Sequence, residues 1–206
     1  MGKIVLSQNI SLDGVVQDPT GEEGTDHGGW FETFMRGDRT PWAEVEFAEA
    51  IGASAVLWGR RTHEYFAPRW ADRDDPWAER LRELPKYIVS STPDDGAWAN
   101  STVLTGDVVD QVSTLKWELD GEILVYGSRL LASTLLDNGL VDEVRLIVFP
   151  VILGDGERLF DQTDEPVPLR LLGGQAIGEG LFRVVYEVVP ADAGLPAGDR
   201  MLTAQA

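Results

Sequence analysis

The 206-residue chain has no cysteine. Disulfides, thiolate zinc sites, iron–sulfur clusters and a cysteine nucleophile are therefore excluded. So is zinc deaminase chemistry of the kind that needs an H-x-E and a P-C-x-x-C signature. Lysine is scarce, three residues against 14 arginines, and the formal net charge is −18. Nucleic acid and anionic membrane call for clustered Lys and Arg, so neither is an expected partner. The excess of acid serves solubility. Long hydrophobic runs are also missing. The longest, Leu146 to Leu153, falls far short of the roughly 20 residues that span a bilayer. Met1-Gly2-Lys3 leads at once into Ile4-Val5-Leu6, without a signal-peptide core or a small-residue cleavage site. A soluble, cytoplasmic protein is expected. His63-Glu64 is not followed by the second His of H-E-x-x-H, so no metal is expected. G-x-G-x-x-G, the P-loop and the G-x-S-x-G elbow are absent as well, which argues against a Rossmann site and against hydrolase or transferase machinery.

What is present reads as one globular domain over residues 1–190. The Ala-, Gly-, Pro- and Asp-rich stretch 191–206 reads as a disordered tail. Lys3 to Ile10 alternates and is rich in Ile, Val and Leu, as a strand is. Asp13 to Gly29, with five glycines, reads as a long loop of the kind that often serves as a functional lid. Helical spacing covers Trp30 to Arg36 and Trp42 to Ile51, the second started by Pro41. Ser54 to Trp58 reads as a buried strand. Thr62 to Phe66 begins a helix, and Trp77 to Glu83 forms another. Strands follow at Tyr87–Val89, Glu122–Tyr126 and Val144–Phe149, with helices at Asp107–Trp117 and Ser128–Asn138. Leu169–Ile177 and Leu181–Val189 form a closing antiparallel hairpin. The alternation of strand and helix predicts a mixed, mainly parallel sheet with helices on both faces, a three-layer α/β/α arrangement.

In such a sheet, ligands sit at strand carboxyl ends and helix N-termini. Three strand ends have suitable residues. In the first, a buried strand ends at Gly59, and Arg60, Arg61 and Thr62 follow. Glycine allows close backbone approach, the new helix offers N–H groups to an anion, and guanidinium groups grip phosphate bidentately. The same residues also read as a solvated arginine pair at a helix start. The second, Ser90 and Ser91 before Thr92-Pro93, could bond a phosphate or ribose, or simply form a hydroxyl-rich turn. The third is Tyr126-Gly127-Ser128-Arg129-Leu130. Its backbone could cradle a pyrophosphate, or it is an ordinary capped turn.

In this order and spacing the three segments resemble the dihydrofolate reductase-like family. Gly59-Arg60-Arg61-Thr62 is similar to its G-R-x-T segment, which meets the 2′-phosphate side of NADPH. Ile88 to Thr92 resembles the strand end beside the adenosine, and Tyr126 to Arg129 resembles the pyrophosphate turn. Ser11-Leu12-Asp13-Gly14 is similar to the S-x-D-G motif of the riboflavin deaminase-reductase branch. Gly139-Leu140-Val141-Asp142-Glu143 and Pro150-Val151-Ile152-Leu153-Gly154 resemble two further stretches of that branch. The resemblance spans roughly Lys3 to Pro190. It implies a stand-alone reductase domain, NADPH as cofactor, a small heterocyclic substrate and a homodimer. The reaction it implies is akin to that of 5-amino-6-(5-phosphoribosylamino)uracil reductase. Folate reduction, or a binding module without turnover, are the other readings.

Asp13 could touch substrate polar atoms or hold the first loop in place. Glu46, like Glu44, could orient a substrate amide or supply a proton, or could lie on the polar face of its helix. Trp30, Phe31, Phe34 and Trp42 could form a flat-ring pocket or plain core. His27 and His63 read as incidental.

Overall fold

The computed structural model describes residues 1–92, 98–160 and 165–190. The stretch 191–206, expected to be a disordered tail, lies outside them, as does Pro93.

The strands are β1 (Lys3–Ser11), β2 (Ala53–Gly59), β3 (Lys86–Val89), β4 (Ser101–Leu104), β5 (Glu122–Tyr126), β6 (Glu143–Phe149), β7 (Leu169–Ile177) and β8 (Leu181–Val188). The helices are α1 (Trp30–Met35), α2 (Arg39–Gly52), α3 (Arg60–Trp70), α4 (Pro76–Glu83), α5 (Val108–Glu118) and α6 (Arg129–Asp137). The eight strands of the described residues join one sheet in the order β4-β3-β2-β5-β1-β6-β8-β7. β1 to β6 pair in parallel, and β8 and β7 add antiparallel strands at one edge. The expected mixed sheet with its closing hairpin is therefore present.

Alternate side chains of each strand face opposite layers. On one side Ile4, Leu6, Ile10, Leu57, Ile123 and Val125 pack against Val112 and Leu115 of α5 and Leu131, Leu135 and Leu136 of α6. On the other side Val5, Val56, Trp58, Leu124 and Tyr126 pack against α3 and α4 through Ala67 and Leu81. Beside them Ile147 and Phe149 meet Trp30 and Met35 of α1. The result is three layers. Trp30, Phe31 and Phe149 form one ring cluster in this core, with centroids about 5 Å apart.

Three expectations need correction. β4 was not foreseen: Ser101-Thr102-Val103-Leu104 is only four residues long, too short to show a period. α2 begins at Arg39, not Trp42, so Pro41 lies inside the first turn rather than at its start. First-turn N–H groups have no intrahelical acceptor, so proline is tolerated there. α3 begins at Arg60, which places both arginines in its first turn, and it runs through Pro68 to Trp70.

Candidate functional site

The carboxyl ends of β2 and β5 lie side by side, because these strands are sheet neighbours. β2 ends at Gly59 and α3 starts at the next residue. β5 ends at Tyr126, and the chain turns through Gly127 at φ 59° and Ser128 at φ 57° before α6 begins. This is the left-handed region, natural for glycine and uncommon for serine. Cross-links fix the unusual turn. The Gly59 N–H donates to Ser128 Oγ at 2.9 Å. The Ser128 hydroxyl and N–H both donate to Thr62 Oγ1, at 2.9 and 3.1 Å. From β1, Gln8 Nε2 donates to the Gly127 carbonyl at 2.6 Å. A Cβ on Gly127 would lie 3.3 Å from Thr62 Cγ2.

Ser128 therefore bonds across to α3 and does not cap its own helix. Neither α3 nor α6 has a side-chain N-cap. Their first-turn N–H groups are left for a ligand or water, and both helix dipoles present their positive ends there. Arg60 and Arg61 are exposed at the start of α3. Arg60 pairs with Glu64 one turn on, at 3.3 Å. Arg129, first residue of α6, donates from Nε to Glu157 Oε2 at 2.8 Å. Leu130 is exposed, so what it offers a ligand is its backbone.

Gly59, Thr62, Gly127 and Ser128 are thus one hydrogen-bonded unit. Ser90 and Ser91 follow β3, whose Val89 pairs with Gly59 in register. The Ser90 hydroxyl is engaged in its own turn, donating to the Thr92 carbonyl at 2.8 Å and accepting the Thr92 N–H at 3.2 Å. Ser91 is exposed.

The two candidate acids stand in opposite environments. Asp13 Oδ1 accepts from Ser11 Oγ at 2.8 Å and from the Leu153 N–H at 3.1 Å. Oδ2 accepts the Gly154 N–H at 2.8 Å. Burial raises its pKa, but the Leu153 N–H, Ser11 hydroxyl and Gly154 N–H outweigh it and hold the carboxyl down at about 2. Of the two roles weighed for Asp13, this geometry is that of a clamp on the loop. Neighbouring bonds extend the clamp. Val15 bridges to Arg158, and Gln17 Oε1 accepts the Glu157 N–H at 3.0 Å. The long first loop is tied to the turn after β6.

Glu46 lies on α2 and is buried. Burial drives its pKa up to about 8, and the neighbouring Glu49 pushes the same way, while the Asn9 side chain and Arg183 pull it down more weakly. Asn9 is oriented by Trp42, whose Nε1 donates to Asn9 Oδ1 at 2.9 Å. Glu44, on the same helix, is exposed and belongs to the polar face.

Three further residues belong to this neighbourhood. Glu49 is buried, accepts from Ser7 Oγ at 2.7 Å and pairs with Arg183 at 2.7 Å. Arg183 lies on β8 and lines, with Glu49, Arg145 and Gln175, a hollow of about 280 Å³ beside α2. Tyr126 is the third: its hydroxyl is buried near both glutamates. The spacing of Glu46 and Glu49, three apart on a helix, was the available signal that both share one face.

The RibD C-terminal domain family matches residues 2–182, and the chain belongs to that family. It is 26% identical over 190 residues to the uncharacterized protein YyaP of Bacillus subtilis, covering 89% of this chain and 94% of YyaP. A Shewanella sp. PV-4 structure assigned to riboflavin biosynthesis superposes with TM-score 0.71 at 19% identity, covering 91% of this chain and 99% of that one. The dihydrofolate reductase of Enterococcus faecalis, complexed with NADP(H), superposes with TM-score 0.58 at 15% identity, covering 90% and 96%. The fold is dihydrofolate reductase-like, and the family is reductase-like.

Proposed function

We propose that the protein is an NADPH-dependent reductase of a small heterocycle, with a reaction akin to that of 5-amino-6-(5-phosphoribosylamino)uracil reductase. The observation that carries this reading is the pair of uncapped helix starts, α3 and α6, locked together by Gly59, Thr62 and Ser128. A dinucleotide fits this donor set. The N–H groups of both first turns would hold the pyrophosphate. Arg60 and Arg61 would hold the 2′-phosphate, and the turn at Ser90 and Ser91 would flank the adenosine. Arg129 and the backbone of Leu130 would support the phosphates from α6. Gly127 leaves open the space that a Cβ would fill against Thr62.

Bound nicotinamide supplies a hydride from C4 to an electron-poor carbon of a C=N or C=O bond. The atom that receives charge must then take a proton. Glu46, held protonated to about pH 8 by burial, is the side chain to deliver it. Asn9 and Trp42 fix its orientation. Asp13 acts indirectly, by fastening the loop over the site. A cytoplasmic homodimer completes the reading. The β7–β8 hairpin exposes Leu169, Leu171, Leu172 and Phe182, apolar surface that a second copy would cover.

The test is a titration with NADPH and NADH that follows tryptophan quenching. It is repeated with Arg60→Ala and Arg61→Ala together. Charged hydrogen bonds contribute about 1.5–3 kcal/mol, so NADPH affinity should fall about 10- to 100-fold and NADH affinity should hold. No binding of either nucleotide sinks the reductase reading. Binding without oxidation by any heterocycle would leave a binding module. Where turnover is found, its rate should fall as pH rises through about 8, as Glu46 loses its proton. Glu46→Gln should remove that limb and lower kcat by about 100-fold or more.

A further inference from the structure

We propose that the Tyr126 hydroxyl is a substrate-positioning group, left without a partner inside the fold because its partner is a polar atom of the bound heterocycle. The proposal rests on the reductase reading above and adds a residue of this chain to it.

Tyr126 is the last residue of β5, directly before the Gly127–Ser128 turn. Its ring is 5% exposed and packs in the cluster with Trp58 and Trp77, 6.3 Å from the Trp77 centroid. Its hydroxyl is buried and makes no hydrogen bond among the described residues. Such a group is costly, typically about 1–3 kcal/mol, and a phenol in the core usually finds a partner. A phenylalanine would fill the same space without that cost, so the hydroxyl calls for an explanation.

Its position supplies one. Tyr126 pairs in register with Ser7 of β1, and the Ser7 hydroxyl bonds Glu49 of α2 at 2.7 Å. Burial and then the charges of Glu46 and Glu49 are the strongest influences raising its pKa, which places both carboxyls near the hydroxyl. Yet it bonds neither. One helix turn apart on α2, these glutamates have their own partners in Asn9, Ser7 and Arg183. The hydroxyl therefore belongs to the residue that precedes the candidate cofactor turn and lies within the influence of the candidate proton donor. The indole N–H groups of Trp58, Trp77 and Trp98 are also buried without partners. Trp58 and Trp98 stack on each other alongside His63. Tyr126 is distinguished by the two α2 carboxyls that influence its hydroxyl. Its O–H can donate to a carbonyl or accept from a ring N–H of a lactam-bearing heterocycle.

The experiment is Tyr126→Phe in the full chain, with three readouts. Without ligand, the variant should melt at the same temperature as the parent or higher, because an unpaired buried hydroxyl has been removed. NADPH affinity, followed by tryptophan quenching, should not change. In steady-state reduction of 5-amino-6-(5-phosphoribosylamino)uracil, with dihydrofolate as the second compound, KM should rise about 10-fold and kcat should stay within about 2-fold. A lower melting temperature overturns the proposal, since the hydroxyl then has a partner within the fold. An unchanged KM overturns it too. A parent protein that binds NADPH and neither binds nor reduces either compound removes the substrate role. If the parent does not bind NADPH, the reductase reading fails, and the melting comparison still decides whether the hydroxyl is unpaired.

Discussion

Among the described helices, α4 and α5 carry a side-chain cap, whereas α1, α2, α3 and α6 do not. At α4 and α5 an aspartate precedes the helix and accepts an N–H from the first turn: Asp75 takes Ala78 N and Asp107 takes Asp110 N, each at 3.0 Å. At α3 and α6 a glycine and a serine stand in that place, and no side chain caps either helix. Ser128 could have capped α6, being among the preferred residues for it. Its hydroxyl instead reaches 2.9 Å to Thr62 of the other helix. The capped helices satisfy themselves. Uncapped α3 and α6 lie at the ends of adjacent strands and leave their donors for something else. A helix start that forgoes about 1 kcal/mol of capping is a stability cost without a local return, and the return expected here is a bound anion.

The largest effect should come from the turn that brings the uncapped pair together. Gly127→Val puts a β-branched residue at φ 59° and crowds a Cβ against Thr62 Cγ2 at 3.3 Å. The left-handed conformation alone costs about 1–2 kcal/mol for a residue with a Cβ. The turn should shift, and NADPH affinity should drop about 30-fold or more while far-ultraviolet circular dichroism still reports the α/β fold. Unchanged affinity would mean that the two open helix starts do not share a ligand, and the comparison would lose its functional meaning.

How much of this contrast could be read from residues alone is uneven. The strands β2, β5 and β6 were legible because each carries a largely apolar run, the mark of strands buried on both faces, and β1 because it alternates and is rich in Ile, Val and Leu. The glycine and hydroxyl at each strand end were also legible, because turn chemistry is local. The cross-link from Ser128 to Thr62 was not, since it joins residues 66 apart. Nor was the difference between Asp13 and Glu46. Both are single acidic letters near small or apolar neighbours. Only packing shows that one gathers N–H donors from Leu153 and Gly154 while the other is buried beside a second glutamate. Arg183 was invisible as a site residue for the same reason: it reads as a strand position until the sheet brings it to Glu49 of α2. Tyr126 was legible as the start of the third strand-end turn, but not as a neighbour of Glu46 and Glu49.

A capped helix offers the converse test. Asp75→Ala should remove about 1 kcal/mol of stability, which for a chain of this size lowers the melting temperature by roughly 2–4 °C. NADPH affinity should be unaffected, because α4 has no part in the donor set. A loss of NADPH binding in Asp75→Ala would erase the distinction between helix starts that serve the fold and helix starts that serve a ligand.

The smallest expected effect sharpens the comparison most. Arg129, at the start of uncapped α6, is held by Glu157 from the turn after β6. Both side chains reach solvent, 26% and 54% exposed, so the pair itself contributes only about 0.2–1 kcal/mol. Glu157 nevertheless places a negative charge where a pyrophosphate is expected and competes for the same guanidinium. Glu157→Gln should leave the fold intact and tighten binding of NADPH and NADH alike, by about 2- to 4-fold at low salt. The gain should shrink as salt is raised, because the interaction is largely solvent-exposed. The parallel response of the two nucleotides is the informative part. The pyrophosphate is common to both, whereas the 2′-phosphate belongs to NADPH. A gain confined to NADPH would move Arg129 from the pyrophosphate to the 2′-phosphate, and would assign the open start of α6 a different part of the dinucleotide from the one argued here.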